Sequence, residues 1–230
     1  MQRRTLISLS LATATVLSAG SWSGVVAAED LTVDDHGDPF TFVVNLSNVV
    51  LERIRADETL RAGDIESLRK LVDSVILPVT DFTMMTRMTV GPKWRQATSE
   101  QRKALEEGFE NLLMRVYAGA LSAVKDQRCE LRPTRSKKVQ PEMVIRTLLT
   151  SASGATAQPI ALDYRIYQNK EGAWKIVDVN VEGIWMVENY RSQFSGVLSR
   201  DGVEGLVKLL TEKSEELAES MRSKTTGASK

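Results

Sequence analysis

The sequence has one cysteine and one histidine among 230 residues, and this scarcity excludes several kinds of chemistry. A single cysteine, Cys129, cannot form a disulfide within the chain and is more typical of a small buried apolar residue than of a nucleophile. The only histidine, His36, lies in a polar segment, so we do not expect a Cys–His pair. The sequence also lacks GxSxG, HExxH and clustered metal-ligand motifs, so we expect neither a catalytic triad nor a metal site.

Neither sign of charge is in excess, since 30 Lys and Arg residues balance 30 Asp and Glu residues. This balance gives no indication of nucleic-acid binding. Beyond the first 28 residues there is no apolar run of the roughly 20 residues that a membrane-spanning helix needs. We therefore expect that the chain after residue 28 stays in solution.

The first 28 residues have the layout of a cleaved secretory signal peptide. Arg3 and Arg4 precede an apolar run from Leu6 to Ala19, and small residues end the segment at Ala28. The alternative, a membrane anchor, is less favoured because the run is only about 14 residues long. We predict a signal peptide over 1–28, one domain over 29–222 and a flexible tail over 223–230. General and twin-arginine export both remain open.

Apolar residues at helical spacing fill the first half of the predicted domain. They predict helices within 38–57, 64–79 and 81–91, with Asp64 and Asp81 as N-caps and Gly91 as a helix end. A longer helix is predicted from Ser99 to Val124, preceded by a capping box at Thr98. At ~1.5 Å per residue this helix would be about 39 Å long and would form the backbone of the domain.

Four strands are predicted after Gln127, because apolar and polar residues then alternate. They fall within 128–133, 142–151, 158–168 and 174–182, joined by polar turns such as the segment around Gly154. Short turns favour an antiparallel meander. Helical spacing returns from Ile184, and a last helix is predicted from Gly202 to Met221. We therefore predict an α+β fold with helices on one face of a curved antiparallel sheet. The apolar surface between them is either ordinary core or the wall of a ligand cavity.

Two segments of the sequence resemble the MlaC family, also known as toluene-tolerance or ABC-transporter auxiliary proteins. The first is DFTMMTRMTVGPKWRQATSEQR, Asp81–Arg102, which is followed by a long helix with the pattern F..LL.R.YA..L. The second is the strand–helix corner WKIVDVNVEGIWMVENYRSQF, Trp174–Phe194. The resemblance implies an NTF2/cystatin-like cone that buries acyl chains between the sheet and the helices.

The resemblance also implies a function. Proteins of this family are periplasmic carriers that shuttle phospholipid between the inner and outer membranes of Gram-negative bacteria and so maintain outer-membrane lipid asymmetry. The implied partners are the phospholipid cargo, an inner-membrane ABC complex with an MCE subunit, and an outer-membrane lipoprotein–porin complex. We expect no cofactor, no catalysis, no nucleic acid and a monomer.

The candidate lipid-binding residues are apolar side chains of the corner, the long helix and the segment before it. Gly183 is expected to let the chain turn sharply at the corner. Roughly half of the candidates are expected to contact lipid and the rest to be ordinary core. They are Phe82, Met85, Met88, Phe109, Leu113, Val116, Tyr117, Leu121, Leu162, Tyr164, Ile166, Val177, Val179, Val181, Ile184, Val187, Tyr190 and Phe194.

Two polar features of the family segments have alternative interpretations. Arg95 and Arg191 could contact a phosphate, but a salt bridge to Asp178 or Glu182 that fixes the corner is favoured. Trp185 stands where the family usually has a small or polar residue. It either reshapes the pocket or lies on the outer surface.

Two other functions compete with lipid transport. Cone-shaped α+β domains also include isomerases and dehydratases, but Asp163 and Asp178 are predicted to point away from the apolar face. An adaptor or chaperone would instead have a filled core and an external apolar patch.

Overall fold

The protein was analysed as a computed structural model that describes residues 33–133, 138–151 and 158–227. The predicted signal peptide and the turn around Gly154 lie outside these ranges. Among the described residues, no helix combines the length and the apolar character that crossing a membrane requires.

Seven helices are present in the described ranges, and three of them begin at the capping side chains that the sequence predicts. Asp64 and Asp81 accept hydrogen bonds from the backbone of the first turns that follow them, and Thr98 forms the reciprocal capping box with Gln101. Gly91 ends its helix with a positive φ of 69°. The helices are α1 Pro39–Ala56, α2 Glu58–Arg61, α3 Ile65–Leu71, α4 Phe82–Val90, α5 Ser99–Ala118, α6 Met186–Arg200 and α7 Gly202–Gly227.

Three helix boundaries differ from the prediction. The helix that begins at Asp64 changes to a π-helical turn at Val72, before the predicted stop at Pro78. The long helix α5 ends at Ala118 and continues as a 3₁₀ segment to Ala123, so it is shorter than predicted. Helix α7 is helical to Gly227, into the segment predicted as a tail, and the flexibility of that tail stays a prediction.

The strands form one antiparallel sheet in the order β1-β2-β3-β4-β5, which confirms the predicted meander. Their bounds are β1 Gln127–Leu131, β2 Glu142–Ser151, β3 Ile160–Gln168, β4 Trp174–Val181 and β5 Ile184–Trp185. The fifth strand was not predicted, because Ile184 was assigned to the following helix. It pairs back on β4 because Glu182 and Gly183 both have positive φ, 53° and 90°, and reverse the chain. The sharp turn at Gly183 is confirmed.

A β-bulge interrupts the pairing of β3 with β4. Arg165 pairs with Asp178 while the next residue, Ile166, pairs with Ile176, so Val177 is an extra residue on β4. A bulge of this kind breaks strict alternation of side chains. Ile176 packs with the core between α1 and the sheet, whereas Val177 packs with Met85 and Val187. Strict alternation in the sequence predicts one common apolar face for Val177, Val179 and Val181, and this prediction is wrong at Val177.

Two main clusters of buried apolar side chains support this architecture. One lies between α1 and the sheet and includes Phe42, Ile145 and Trp174. The other joins α5, α6 and α7 around Phe109 and Leu206. Helices packed on an antiparallel sheet give the α+β fold that the sequence predicts.

Candidate functional site

An apolar cavity of about 330 Å³ lies between the sheet and helices α1, α3, α4 and α5. This volume falls near the lower end of the range of about 300–1,000 Å³ that is usual for ligand pockets. Its lining residues are Leu46, Ser47, Val50, Leu51, Ile54, Leu68, Leu71, Val72, Ile76, Leu77, Thr80, Phe82, Met85, Glu110, Leu113, Met114, Tyr117, Leu149, Leu162, Tyr164, Ile176, Val179 and Met186. Most of these side chains are apolar, so the cavity suits an apolar guest.

Two hydroxyl groups in the wall, those of Ser47 and Tyr164, are already hydrogen-bonded to the protein. Ser47 Oγ donates to the carbonyl of Val43 at 2.8 Å and lies 2.8 Å from the hydroxyl of Tyr164. Because the single serine proton is used by Val43, Tyr164 is the donor in the second bond. Burial raises the pKa of Tyr164, so this hydroxyl stays neutral. The pair therefore offers the cavity little unsatisfied polarity.

Among the described residues of the cavity wall, Glu110 is the charged one. It lies on α5, and its Oε1 is 3.5 Å from Nη1 of Arg69 on α3. Burial raises the pKa of Glu110, an effect that the nearby Arg69 guanidinium only partly offsets. The ion pair links two helices of the wall and keeps the carboxylate close to a positive charge.

Seven of the candidate lipid-binding residues lie in the wall of this cavity. They come from α4, α5, β3 and β4, which are four of the elements that the sequence analysis selected. They are Phe82, Met85, Leu113, Tyr117, Leu162, Tyr164 and Val179. Their contact with lipid stays a prediction.

Three aromatic candidates pack in the helical core instead. The ring of Phe109 lies 5.1 Å from Tyr190 and 5.9 Å from Phe194, in edge-to-face contacts. Helix α5 is buried on two sides, so one stripe of its side chains contacts α6 and α7 while the neighbouring stripe, with Leu113 and Tyr117, reaches the cavity. Helical periodicity in the sequence does not separate two adjacent stripes.

The remaining candidates lie elsewhere for local reasons. Ile166 is in the core beside α1, and Val177 and Val187 pack with Met85. Val116 and Ile184 are exposed, at 44% and 61% of their surface. Met88 lies in a second cleft, Val181 is partly buried at the end of β4 and outside the cavity wall, and the side chain of Leu121 is outside the described part of the chain.

The sequence analysis missed the contribution of α1 and α3 to the cavity wall. Leu46, Val50 and Ile54 on α1 line the cavity, as do Leu68 and Leu71 on α3. Their spacing correctly predicted helices, and that spacing was the available signal. It did not show that these stripes face the same space as β3 and β4.

The arginines and the tryptophan of the family segments lie on the other side of β4. Arg95 and Arg191 do not form the expected salt bridge to Asp178 or Glu182. Arg165 takes that place, with its Nη1 3.4 Å from Asp178 Oδ2. Trp185 does not line the apolar cavity, because its ring stacks against the guanidinium of Arg165 at 4.7 Å.

The two aspartates considered as catalytic groups have structural partners. Asp178 is almost fully buried, which raises its pKa, and its Oδ1 accepts from the backbone N–H groups of Val179 and Val187. Asp163 lies 3.7 Å from Arg132 and accepts from the N–H of Thr147. Neither lines the apolar cavity. Within the described ranges, no group of three His, Cys, Asp or Glu residues is arranged to hold a metal ion.

Comparison with known proteins agrees with this architecture. A solved structure of a phospholipid-binding protein from Ralstonia solanacearum, in complex with a phospholipid, superposes with a TM-score of 0.73 and 37% sequence identity. The match covers 79% of this chain and 99% of that one.

Two curated proteins are more distant relatives. The intermembrane phospholipid transport system binding protein MlaC of Haemophilus influenzae is 24% identical over 74% of this chain and 78% of its own length. The toluene tolerance protein ttg2D of Pseudomonas putida is 23% identical over 71% of this chain and 74% of its own length. The family model described as MlaC protein matches residues 45–212, which includes both sequence segments and most of the cavity wall. The chain therefore belongs to the MlaC family.

Proposed function

We propose that this protein binds the acyl chains of a phospholipid in the apolar cavity and carries the lipid between membranes. The cavity between the sheet and α1, α3, α4 and α5 is the observation that carries the proposal. The Ralstonia solanacearum protein, which shares the fold, is in complex with a phospholipid, and this supports the same class of ligand here.

The energetics of acyl chains explain why a carrier needs such a cavity. Each CH₂ group transferred out of water contributes about 0.8 kcal/mol, so exposing one ordinary acyl chain costs on the order of 10 kcal/mol. An apolar wall replaces water and lowers this cost during transfer. The tails supply most of the binding energy, so the headgroup needs few dedicated contacts.

The cellular setting is part of the proposal. Residues 1–28 have the pattern of a signal peptide, and the protein is proposed to act in the periplasm of a Gram-negative cell. The inner-membrane ABC complex with its MCE subunit and the outer-membrane lipoprotein–porin complex are the proposed partners in maintaining lipid asymmetry. Because the carrier only binds and releases lipid, the ATP-driven partner would supply the energy for directional transport.

Two measurements test the proposal. The protein without residues 1–28 is purified under gentle conditions, extracted with organic solvent and analysed by mass spectrometry, with near one phospholipid per protein expected. Transfer is then measured from vesicles with a fluorescent phospholipid to unlabelled vesicles, and the protein should accelerate it. Protein that carries no phospholipid and does not accelerate transfer would refute the proposal.

A further inference from the structure

A second cleft, lined by five arginines, lies on the side of β4 away from the apolar cavity. Its volume is about 1060 Å³, and it is bounded by α4, the 3₁₀ segment Gly91–Gln96, the start of α5, β3, β4, β5 and the start of α6. The five are Arg87, Arg95, Arg102, Arg165 and Arg191, and we call this feature the arginine cleft. Positive charge in this concave surface is not explained by lipid binding in the apolar cavity.

Two carboxylates, Asp178 and Glu188, also line the arginine cleft, so positive charge is in excess there. Asp178 is 1% exposed, and its oxygens are used by two backbone N–H groups and by Arg165. It holds the strand–helix corner together and does not neutralise the other arginines. The arginine cleft therefore keeps most of its positive charge for another molecule.

Three of the arginines have no ion pair and no side-chain hydrogen bond to the described residues. Arg87, Arg95 and Arg191 are all exposed. The guanidinium of Arg191 lies beside Gly91, where an added Cβ would be 3.6 Å from Nε and Nη2. These three side chains leave their hydrogen-bond donors for a ligand.

The other two arginines are held by aromatic rings. The guanidinium of Arg165 stacks on Trp185, and that of Arg102 lies 5.6 Å from the centre of the Trp94 ring. Arg102 also donates from Nε to the carbonyl oxygen of Trp94. Side chains that are ordered before binding lose less entropy when a ligand arrives. The arginine cleft is thus a partly preorganised set of guanidinium groups.

We infer that the arginine cleft is a docking site for an acidic segment of a partner protein. A guanidinium group offers two parallel donors that match the two oxygens of a carboxylate, so Asp and Glu side chains are suitable partners. The arginine cleft is concave, and this shape fits a narrow chain better than the flat surface of an anionic membrane. The inference rests on the arginine cleft alone and does not depend on lipid binding.

Binding of a fluorescein-labelled oligo-glutamate peptide to the full chain tests the inference by fluorescence anisotropy. The wild-type protein should bind, and added NaCl should weaken binding because exposed charges are screened. The double variant Arg95→Glu/Arg191→Glu should bind at least about tenfold more weakly, since attraction becomes repulsion. Arg53→Glu on α1, an exposed arginine outside the cleft, is the matched control and should bind like the wild type.

Further readouts keep the test decisive. Circular dichroism melting checks that each variant is folded, and Arg95→Gln/Arg191→Gln replaces the double variant if charge reversal prevents folding. No peptide binding by the wild type, or an equal loss in Arg53→Glu, would overturn the inference. So would loss of binding to phosphatidylglycerol vesicles in Arg95→Glu/Arg191→Glu with peptide binding unchanged, because the arginine cleft would then be a membrane contact. Bound phospholipid, measured in the same samples, reports separately on the proposed function.

Discussion

Val179 is the residue at which the proposed lipid contact is tested most directly. It lies on β4 after the bulge and lines the apolar cavity. A carboxylate placed in this wall without a partner costs several kcal/mol to desolvate. We expect Val179→Glu to abolish lipid retention, measured as phospholipid per protein by mass spectrometry after gentle purification.

Val116→Glu is the matched control for this change. Val116 was also a candidate lipid-binding residue, but 44% of its surface is exposed on α5 and it is not part of the cavity wall. This variant should retain lipid like the wild type. Equal lipid content in both variants would show that the cavity wall is assigned to the wrong strand face.

The half-buried carboxylate of Glu110 gives a pH-dependent prediction. Burial raises its pKa above the ordinary value of 4.5, so the charged form is less stable in the folded protein than in the unfolded chain. Glu110→Gln should therefore raise the free energy of unfolding at pH 7. As the pH falls through the raised pKa and below 4.5, Glu110 of the wild type becomes protonated in the folded and then in the unfolded state. The difference in free energy of unfolding between the variant and the wild type should then disappear.

Urea unfolding at a series of pH values measures this difference. Glu107→Gln, an exposed position on the same helix, is the control and should change the stability little. If both variants became more stable by the same amount, the effect would come from the overall charge of the helix and not from burial of Glu110.

At the scale of elements, the contact between α5 and α7 depends on a glycine. A Cβ at Gly108 would lie 2.9 Å from Cβ of Leu210, which is closer than real Cβ atoms approach. Alanine favours a helix over glycine by up to about 1 kcal/mol, but overpacking a core contact costs about 1–3 kcal/mol. We expect Gly108→Ala to lower the free energy of unfolding by roughly 1 kcal/mol in urea titrations.

Gly196 on α6 provides the comparison, because no described residue beyond its own helical turn comes within 4 Å of its would-be Cβ. With only the helix preference acting, Gly196→Ala should raise the stability by about 0.5–1 kcal/mol. A stabilising effect at both glycines would mean that α5 and α7 are less closely packed than the structure shows.

At the scale of the whole molecule, we expect the proposed lipid binding to couple lipid content to stability. A ligand that binds only the folded state raises the free energy of unfolding by about 2.7 kcal/mol at a hundred times its Kd and by about 4.1 at a thousand times. Removal of phospholipid should therefore lower the melting temperature in differential scanning calorimetry, and reloading should restore it. Identical melting temperatures of the lipid-loaded and lipid-free protein would argue against a phospholipid bound in the cavity.

Much of the local structure of this protein could be predicted from its sequence. The N-caps at Asp64, Asp81 and Thr98 act on neighbouring residues, so their signals are complete within a few positions of the chain. The strands were recognisable by alternation, and the family segments identified the fold. The short strand β5 was missed because its pairing depends on the positive φ values of Glu182 and Gly183.

What only the tertiary structure decided is which apolar side chains face the cavity. Periodicity identifies a buried stripe, but it does not distinguish a stripe packed on another helix, as at Phe109, from one that lines an open space, as at Leu113. The bulge at Val177 and the contributions of α1 and α3 likewise arise from contacts between residues distant in sequence. Such contacts are set by how whole elements pack together, so they have no local sequence signature.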